Sequence, residues 1–145
     1  MTKKKTDYII VAGCGRMGMS IASMLSSQGE KVAVVDISEL SFKKLSNNYK
    51  GLFIEGDATD IDVLERVGID RADMVVAATN DDNANIMISE IASAIFHVPK
   101  VISRLYDTDK QSVYHEFNIN TIYPAKLSLK EFENVLSQSD PEVYR

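Results

Sequence analysis

Gly13, Gly15 and Gly18 stand in a Gly-x-Gly-x-x-Gly spacing, and an acid, Asp36, follows about 20 residues further on at the end of an apolar run. Glycines so spaced let a chain turn tightly at the first position, bring bare backbone against a diphosphate at the second, and seat a helix closely on a strand at the third. The free N–H groups of that helix, and the positive end of its dipole, then face the phosphates. A carboxylate at Asp36 is the acceptor that a ribose diol needs. Cys14, Arg16 and Met17 are the other residues of the loop. The Arg16 guanidinium either reaches a terminal or bridging phosphate or is a solvated first-turn side chain, a place where a cation without an anionic partner is disfavoured. Cys14 lies where a helix N-terminus can lower a thiol pKa, or is simply a small residue that fits. Ile37 and Ser38 follow Asp36, so nothing basic stands ready for a 2′-phosphate. That favours NAD(H), or another adenine nucleotide with free ribose hydroxyls, over NADP.

Three elements must position this loop. Ile9 to Ala12 is a short, largely β-branched run without polar alternation, which predicts a strand buried on both faces. Met17 to Leu25 carries apolar side chains at helical spacing, and Val32 to Val35 predicts a second buried strand ending in Asp36. Ser38 is then placed to cap a helix running to about Asn48, with Leu40, Phe42 and Leu45 on its apolar face. Leu52 to Glu55 is a third strand and is followed by Gly56-Asp57-Ala58-Thr59. Thr59 or Asp60 caps the next helix, Ile61 to Val67, which Gly68 ends. Met74 to Ala78 is a fourth apolar strand, and Thr79-Asn80-Asp81-Asp82-Asn83 follows where a helix must begin. That helix, Asn83 to about Phe96, is apolar on more than one face, so a surface besides its own sheet should cover it. Pro99 leads to a fifth strand, Val101 to Leu105, then a helix from about Asp109 to Phe117 and a sixth strand, Thr121 to Tyr123. Pro124 opens a last helix, with Leu129, Phe132 and Leu136 on one face.

Strands alternating with helices predict an α/β fold: a Rossmann-like, doubly wound parallel sheet of six strands in the order 3-2-1-4-5-6, with helices on both faces. A ligand belongs beyond the carboxyl ends of the strands, at the switch between the first and the fourth. Gly13, Asp36, Asp57, Thr79 and Arg104 all stand at that edge. There Asp57 either faces an adenine or caps its helix, Thr79 and Asn80 line the phosphate or ribose region, and Asp81 and Asp82 suit helix capping. Residues 1–138 are read as one domain and 139–145 as a tail or the start of a linker.

With 145 residues, 45% hydrophobic and 26% charged, the chain suits a single soluble globular domain. Sixteen basic against 21 acidic side chains give a net charge of −5, which argues against nucleic acid as a partner. Lys3 to Lys5 reads as a solvated terminus. No apolar run approaches the about 18 residues of a membrane span, and there is no secretory pattern. A single cysteine can form no internal disulfide and fits a reducing cytoplasm. A dehydrogenase would need an acid or base and a substrate pocket beside the nicotinamide. Tyr106 and Lys110 have a Tyr-x-x-x-Lys spacing, but they directly follow a strand with Asp107 and Asp109 between them, and His97 and His115 lack the spacing of a metal site. A small NAD-dependent oxidoreductase remains the alternative reading. A methyltransferase is a further one, although such enzymes usually run G-x-G-x-G. The chain is read as a binding module and not an enzyme.

Val-Ala-Gly-Cys-Gly-Arg-Met-Gly (Val11 to Gly18), Val-Val-Asp (Val34 to Asp36), Gly-Asp-Ala-Thr (Gly56 to Thr59), the run from Gly68 to Asp82, Val-Ile-Ser-Arg-Leu-Tyr-Asp (Val101 to Asp107) and Tyr123-Pro124 occur in that order. Together they resemble the N-terminal lobe of the RCK or KTN domains, the TrkA-N family that regulates potassium transport. The resemblance implies a cytoplasmic sensor that binds NAD(H) or ATP/ADP and gates a potassium channel or transporter by a change of oligomer shape. It implies that Gly13, Gly15, Arg16 and Gly18 hold phosphate, that Asp36 holds ribose, and that Asp57 and Ala58 border the adenine. Thr79, Asn80 and Arg104 would close the site, with Cys14, Met17 and Ile37 alongside. It also implies a homodimer joined through the last helix, with Leu129, Phe132 and Leu136 as contact face, and an octameric ring of such dimers. The partner would be a membrane potassium channel or transporter subunit, which would hold the domain at the inner face of the membrane without direct insertion. Many members carry an acid just after the proline where this chain has Ala125, so the resemblance does not bring a divalent-cation site with it. Family subunits commonly continue into a second, smaller lobe, and this sequence stops at Arg145, so it is read as a fragment or as a free-standing lobe.

Overall fold

The computed structural model describes residues 7–45, 47–110, 112 and 119–138. Its centre is β1 (Tyr8–Ala12), in which Ile9 to Ala12 are at most 1% exposed, as a strand covered on both faces must be. β1 pairs in parallel with β2 (Lys31–Asp36) on one side and β4 (Met74–Ala77) on the other. β3 (Leu52–Glu55) extends the sheet beyond β2, and β5 (Lys100–Arg104) and β6 (Asn120–Ile122) extend it beyond β4. The six strands therefore run β3-β2-β1-β4-β5-β6, the order expected from the alternation of elements.

Alternate residues of these strands feed two separate cores, because successive side chains point to opposite faces. Ile10, Ala12, Val35, Val75 and Ala77 pack with Val63 and Leu64 of α3 (Ile61–Val67) and Ile88 of α4 (Asp82–Glu90). Ile9, Val11, Val32, Val34 and Val76 pack with Ala22 and Leu25 of α1 (Arg16–Ser27) and with Phe42 of α2 (Glu39–Phe42). Asp60, not Thr59, caps α3 by accepting from the Asp62 N–H at 2.9 Å, and Gly68 closes it at φ 92° in the left-handed region.

Several boundaries depart from expectation. The helix expected from Ser38 to about Asn48 is only Glu39–Phe42, and Ser38 makes no side-chain cap bond. The Ser38 N–H is instead taken by Asp36 at 2.8 Å, and the chain goes on through short turn bonds from Lys44 to Ser41 and from Leu45 to Phe42. Phe42 and Leu45 reach the core, while Leu40 is 68% exposed. α4 runs only to Glu90 and then loosens into a π-helical turn over Ile91–Ile95, in which the Phe96 N–H reaches back five residues to Ile91. β4, β5 and β6 each end one residue before the expected limit. Thr108–Lys110 form a 3₁₀ turn, and most of the helix expected from about Asp109 to Phe117 lies outside the described residues. So do residues 139–145.

Pro124 opens α5 (Pro124–Gln138), which has no buried residue. Leu129, Phe132 and Leu136 are 64%, 61% and 53% exposed. Met87 and Ile95 are also exposed, so the described residues do not supply the second cover expected around the helix after β4.

Candidate functional site

The loops that leave the carboxyl ends of β1, β2, β3 and β4 enclose a cleft of about 370 Å³. Gly13, Gly15, Asp36, Ile37, Asp57, Ala58, Thr79 and Asn80 line it, together with Gly56, Asp81 and Ile88. The other expected residues lie off this lining. Cys14 is buried, with its thiol donating to the Ser41 carbonyl at 3.5 Å. Arg16 is exposed on the first turn of α1, Met17 is half-buried, and Gly18 is buried under the helix. The Arg104 guanidinium lies over the Tyr106 ring, 4.3 Å from its centroid.

The three glycines answer to different constraints. Gly13 sits at φ 103°, and a Cβ there would come within 2.8 Å of the backbone of Ala78 and Thr79. A Cβ on Gly18 would lie 1.9 Å from the Gly13 carbonyl oxygen, so α1 can rest on the loop only if this residue has no side chain. At Gly15 the nearest atom is Asn80 Oδ1, at 3.8 Å, which is ordinary contact. Nothing in the protein excludes a methyl group at Gly15; only the cleft would lose space.

Not every loop amide is free. The Gly13 N–H donates to the Val35 carbonyl at 2.8 Å and the Cys14 N–H to Asp36 Oδ2 at 2.7 Å, so neither is offered to a ligand. The unclaimed donors begin at Gly15, the N-cap of α1, where no side-chain cap bond is made. α3 and α4, by contrast, are capped by Asp60 and Asp81. Among the described residues the cleft lining holds three carboxylates, Asp36, Asp57 and Asp81, and no lysine or arginine. An anion in this cleft is therefore met by the open end of α1 and its dipole.

Asp36 accepts from the Cys14 N–H through Oδ2 and from the Ser38 N–H through Oδ1. A carboxylate has about four acceptor positions, so roughly half remain for hydroxyls in the cleft. Asp57 lines the cleft and closes a turn, Oδ1 accepting from the Thr59 hydroxyl at 2.7 Å and the Thr59 N–H at 2.9 Å. Those two bonds, the hydroxyl's first, hold the Asp57 carboxyl below the ordinary aspartate range. For Cys14 the helix end does not prevail: burial, and then the Asp36 carboxylate, push the thiol up.

Two residues that the sequence left unassigned or assigned otherwise hold the right-hand wall. Asn85, fully buried, bonds both Thr79 and the Arg104 carbonyl. Asp82 does not cap α4; its two oxygens accept from the Tyr106 and Asp107 N–H groups at 2.8 Å each. Polar residues crowd the start of this helix (Asp82, Asn83, Asn85), and no spacing in the sequence singles these two out. Among the described residues no group of three or more His, Cys, Asp and Glu could hold a metal ion.

A parallel sheet in this order, with a glycine turn, an uncapped helix end and an acid closing the second strand, defines a Rossmann-like domain whose open site lies at the strand switch. More narrowly, the chain belongs to the TrkA-N domain family, which it matches over residues 9–124. It is 36% identical over 115 residues to the Trk system potassium uptake protein TrkA of Streptomyces coelicolor, covering 79% of this chain and 52% of that protein. It is 38% identical over 109 residues to a TrkA homolog of Pyrococcus abyssi, covering 75% and 48%. The chain thus spans about half the length of these relatives. Its fold is shared with Shewanella denitrificans Kef CTD in an AMP-bound form, at a TM-score of 0.73 and 24% identity over 94% of this chain and 86% of that one. It is also shared with the GsuK channel bound to NAD, at a TM-score of 0.80 and 22% identity over 94% and 24%. GsuK bound to ADP gives 0.79 and 22% over 92% and 35%.

Two outcomes are expected. Gly15→Ala should cost no more than about 1 kcal/mol in urea denaturation, the loss expected when alanine stands at an N-cap, whereas Gly18→Ala should lose about 3 kcal/mol or more by overpacking; equal losses would place Gly15 among the fold-determining glycines. The Asp57 carboxyl should titrate by NMR below its ordinary 3.8, and Thr59→Ala should raise its midpoint. The turn's contribution to stability is then complete above that ordinary value and is lost as pH falls through the folded midpoint.

Proposed function

We propose that this chain is a nucleotide-sensing regulatory domain of a potassium uptake channel or transporter, that it binds NAD(H) or ATP/ADP in the cleft, and that it acts by changing the shape of an oligomer rather than by turnover. The observation that carries this reading is the cleft at Gly15, beneath the uncapped end of α1, where a Cβ would meet only ordinary contact. Phosphates placed there meet backbone N–H groups and the helix dipole. The ribose diol then reaches the unused acceptor positions of Asp36, with the adenine toward Ile37, Asp57 and Ala58 and the rest of the ligand against Thr79 and Asn80. The names of the TrkA relatives support potassium uptake, and the ligands named for the Kef and GsuK structures support an adenine nucleotide.

Regulation by binding requires that the ligand prefer one of two shapes. The exposed stripe of α5 is the kind of apolar patch that marks a protein contact, and it supports a homodimer joined through Leu129, Phe132 and Leu136, with a ring of such dimers, octameric in the fullest form, under the channel subunit. That subunit would hold the domain at the inner face of the membrane; no described helix is long and apolar enough to cross it.

Calorimetry with NADH, NAD, AMP, ADP and ATP should give saturable binding for at least one of them, and NADPH should bind more weakly than NADH because its 2′-phosphate meets the Asp36 carboxylate. Asp36→Ala should cost about 1.5–3 kcal/mol of affinity, the worth of hydrogen bonds to a charged group, or more than tenfold. No heat with any of the nucleotides at millimolar concentration would remove the reading. Sedimentation of the full chain should show a dimer that Phe132→Asp converts to monomer; an unchanged mass would take α5 out of the interface.

A further inference from the structure

We infer that Asn85 is a positioning residue that transmits occupancy of the cleft to β5 and α5, an inference that rests on the nucleotide reading above. Asn85 is fully buried between the ends of β4 and β5. Its Oδ1 accepts from the Thr79 N–H at 2.9 Å and the Thr79 hydroxyl at 2.6 Å, while Nδ2 donates to the Thr79 carbonyl at 3.1 Å and the Arg104 carbonyl at 3.0 Å. A backbone N–H can only donate and a carbonyl can only accept, so the orientation of the amide is fixed by its neighbours. Both protons and both acceptor positions are engaged, and Asn85 does not line the cleft. It has nothing left to offer a ligand and acts through Thr79.

Thr79 is well placed to feel one. It lines the cleft, and the backbone of Gly13 approaches that of Ala78 and Thr79 so closely that a single Cβ would fall 2.8 Å away. On the far side of Asn85 the bonds continue. Leu105 donates to the Ile122 carbonyl at 2.9 Å at the end of β6, and the next residue, Tyr123, accepts from Leu127 at 3.1 Å in the first turn of α5. Asp82, three residues before Asn85 on the same helix, fixes the Tyr106 and Asp107 amides. The first turns of α4 therefore fasten the cleft wall and the exit of β5 to one rigid body. Asn85 and Leu105 are fully buried, so leaving their partners at Thr79, Arg104 and Ile122 unpaired is costly and these groups move together.

The test is amide hydrogen exchange, read by NMR on the full chain with and without saturating NADH or ADP. In the wild type, nucleotide should slow exchange at residues 15–18 and also, beyond the reach of the ligand, at Leu105, Tyr106, Asp107 and Leu127, there by about fivefold or more, the low end of measured couplings. Asn85→Asp keeps the two bonds from Thr79 to Oδ1 but sets a carboxylate oxygen against the carbonyls of Thr79 and Arg104. It should keep the slowing at residues 15–18 and lose it at the four remote amides. A defect of packing alone would speed exchange with and without nucleotide and leave the difference between them, so that difference is the readout. Slowing at residues 15–18 in the wild type with none at the remote amides overturns the inference, as does an Asn85→Asp protein that keeps the remote slowing. If Asn85→Asp does not fold, Asn85→Ser, which leaves the same two carbonyls without their donor and adds no charge, is read in its place by the same two outcomes. No slowing at residues 15–18 with either nucleotide overturns the nucleotide reading, and this inference with it.

Discussion

The contact between α1 and the Gly13 carbonyl governs the geometry of the carboxyl edge. Because a Cβ on Gly18 would stand 1.9 Å from that oxygen, the helix can lie on the loop only with a bare backbone at this point. Its first turn then sits directly over the end of β1, and Gly15 becomes the N-cap. A residue that capped the helix with its own side chain would fill the space it opens onto, so the donors of the first turn stay unclaimed. Before any ligand arrives, the loop is also tied down on its other side, with Gly13 bonded to Val35 and Cys14 to Asp36. Binding into such a frame need order little backbone, and it is ordering that erodes affinity.

A cleft lined by Asp36, Asp57 and Asp81 and, among the described residues, by no basic side chain is at first sight a poor host for phosphates. The carboxylates are, however, already engaged. Asp36 takes two backbone N–H groups, Asp57 an N–H and a hydroxyl, and Asp81 the N–H groups of Asn83 and Ala84. Each negative charge is balanced locally by donors, and its spare acceptor positions suit hydroxyl and amino groups. The two kinds of chemistry are thus divided in space: anions belong at the open end of α1, and hydrogen-bond donors belong along the acidic wall.

The sheet was legible in the sequence because strands buried on both faces leave continuous apolar runs, such as Ile9 to Ala12 and Val32 to Val35, and because parallel strands with helical crossovers allow few orders. The residues gathered at the cleft could be anticipated for the same reason, since a strand's carboxyl end is fixed once the strand is. Tertiary detail was not legible. Leu40, Phe42 and Leu45 imitate a helical face, but Leu40 stays 68% exposed and the chain after Phe42 closes through three-residue turn bonds, so the helix stops after one turn. The choice of Asp60 over Thr59 as cap turned on a hydroxyl whose direction no spacing reveals, the Thr59 group being taken by Asp57. Asn85 reads in the chain as one more polar residue near a helix start. Only the gap between the ends of β4 and β5 makes it a buried tie.

α5 brings the same issue of linkage to the surface of the domain. It has 15 residues, none of them buried, and in its first turn Leu127 bonds Tyr123 while Lys126 lies over the Tyr123 ring at 4.7 Å. A single helix of about that length is marginal in water unless an apolar face is covered. Leu129, Phe132 and Leu136 form such a face, and the described body of the domain leaves it exposed. On the dimer reading, folding of the helix and association become one equilibrium, so a small change in how the end of β6 presents Tyr123 is multiplied along the helix. On that reading the domain would need no large internal motion to report a ligand: a tilt at the root of α5 would suffice, because the face of that helix stands outside the core.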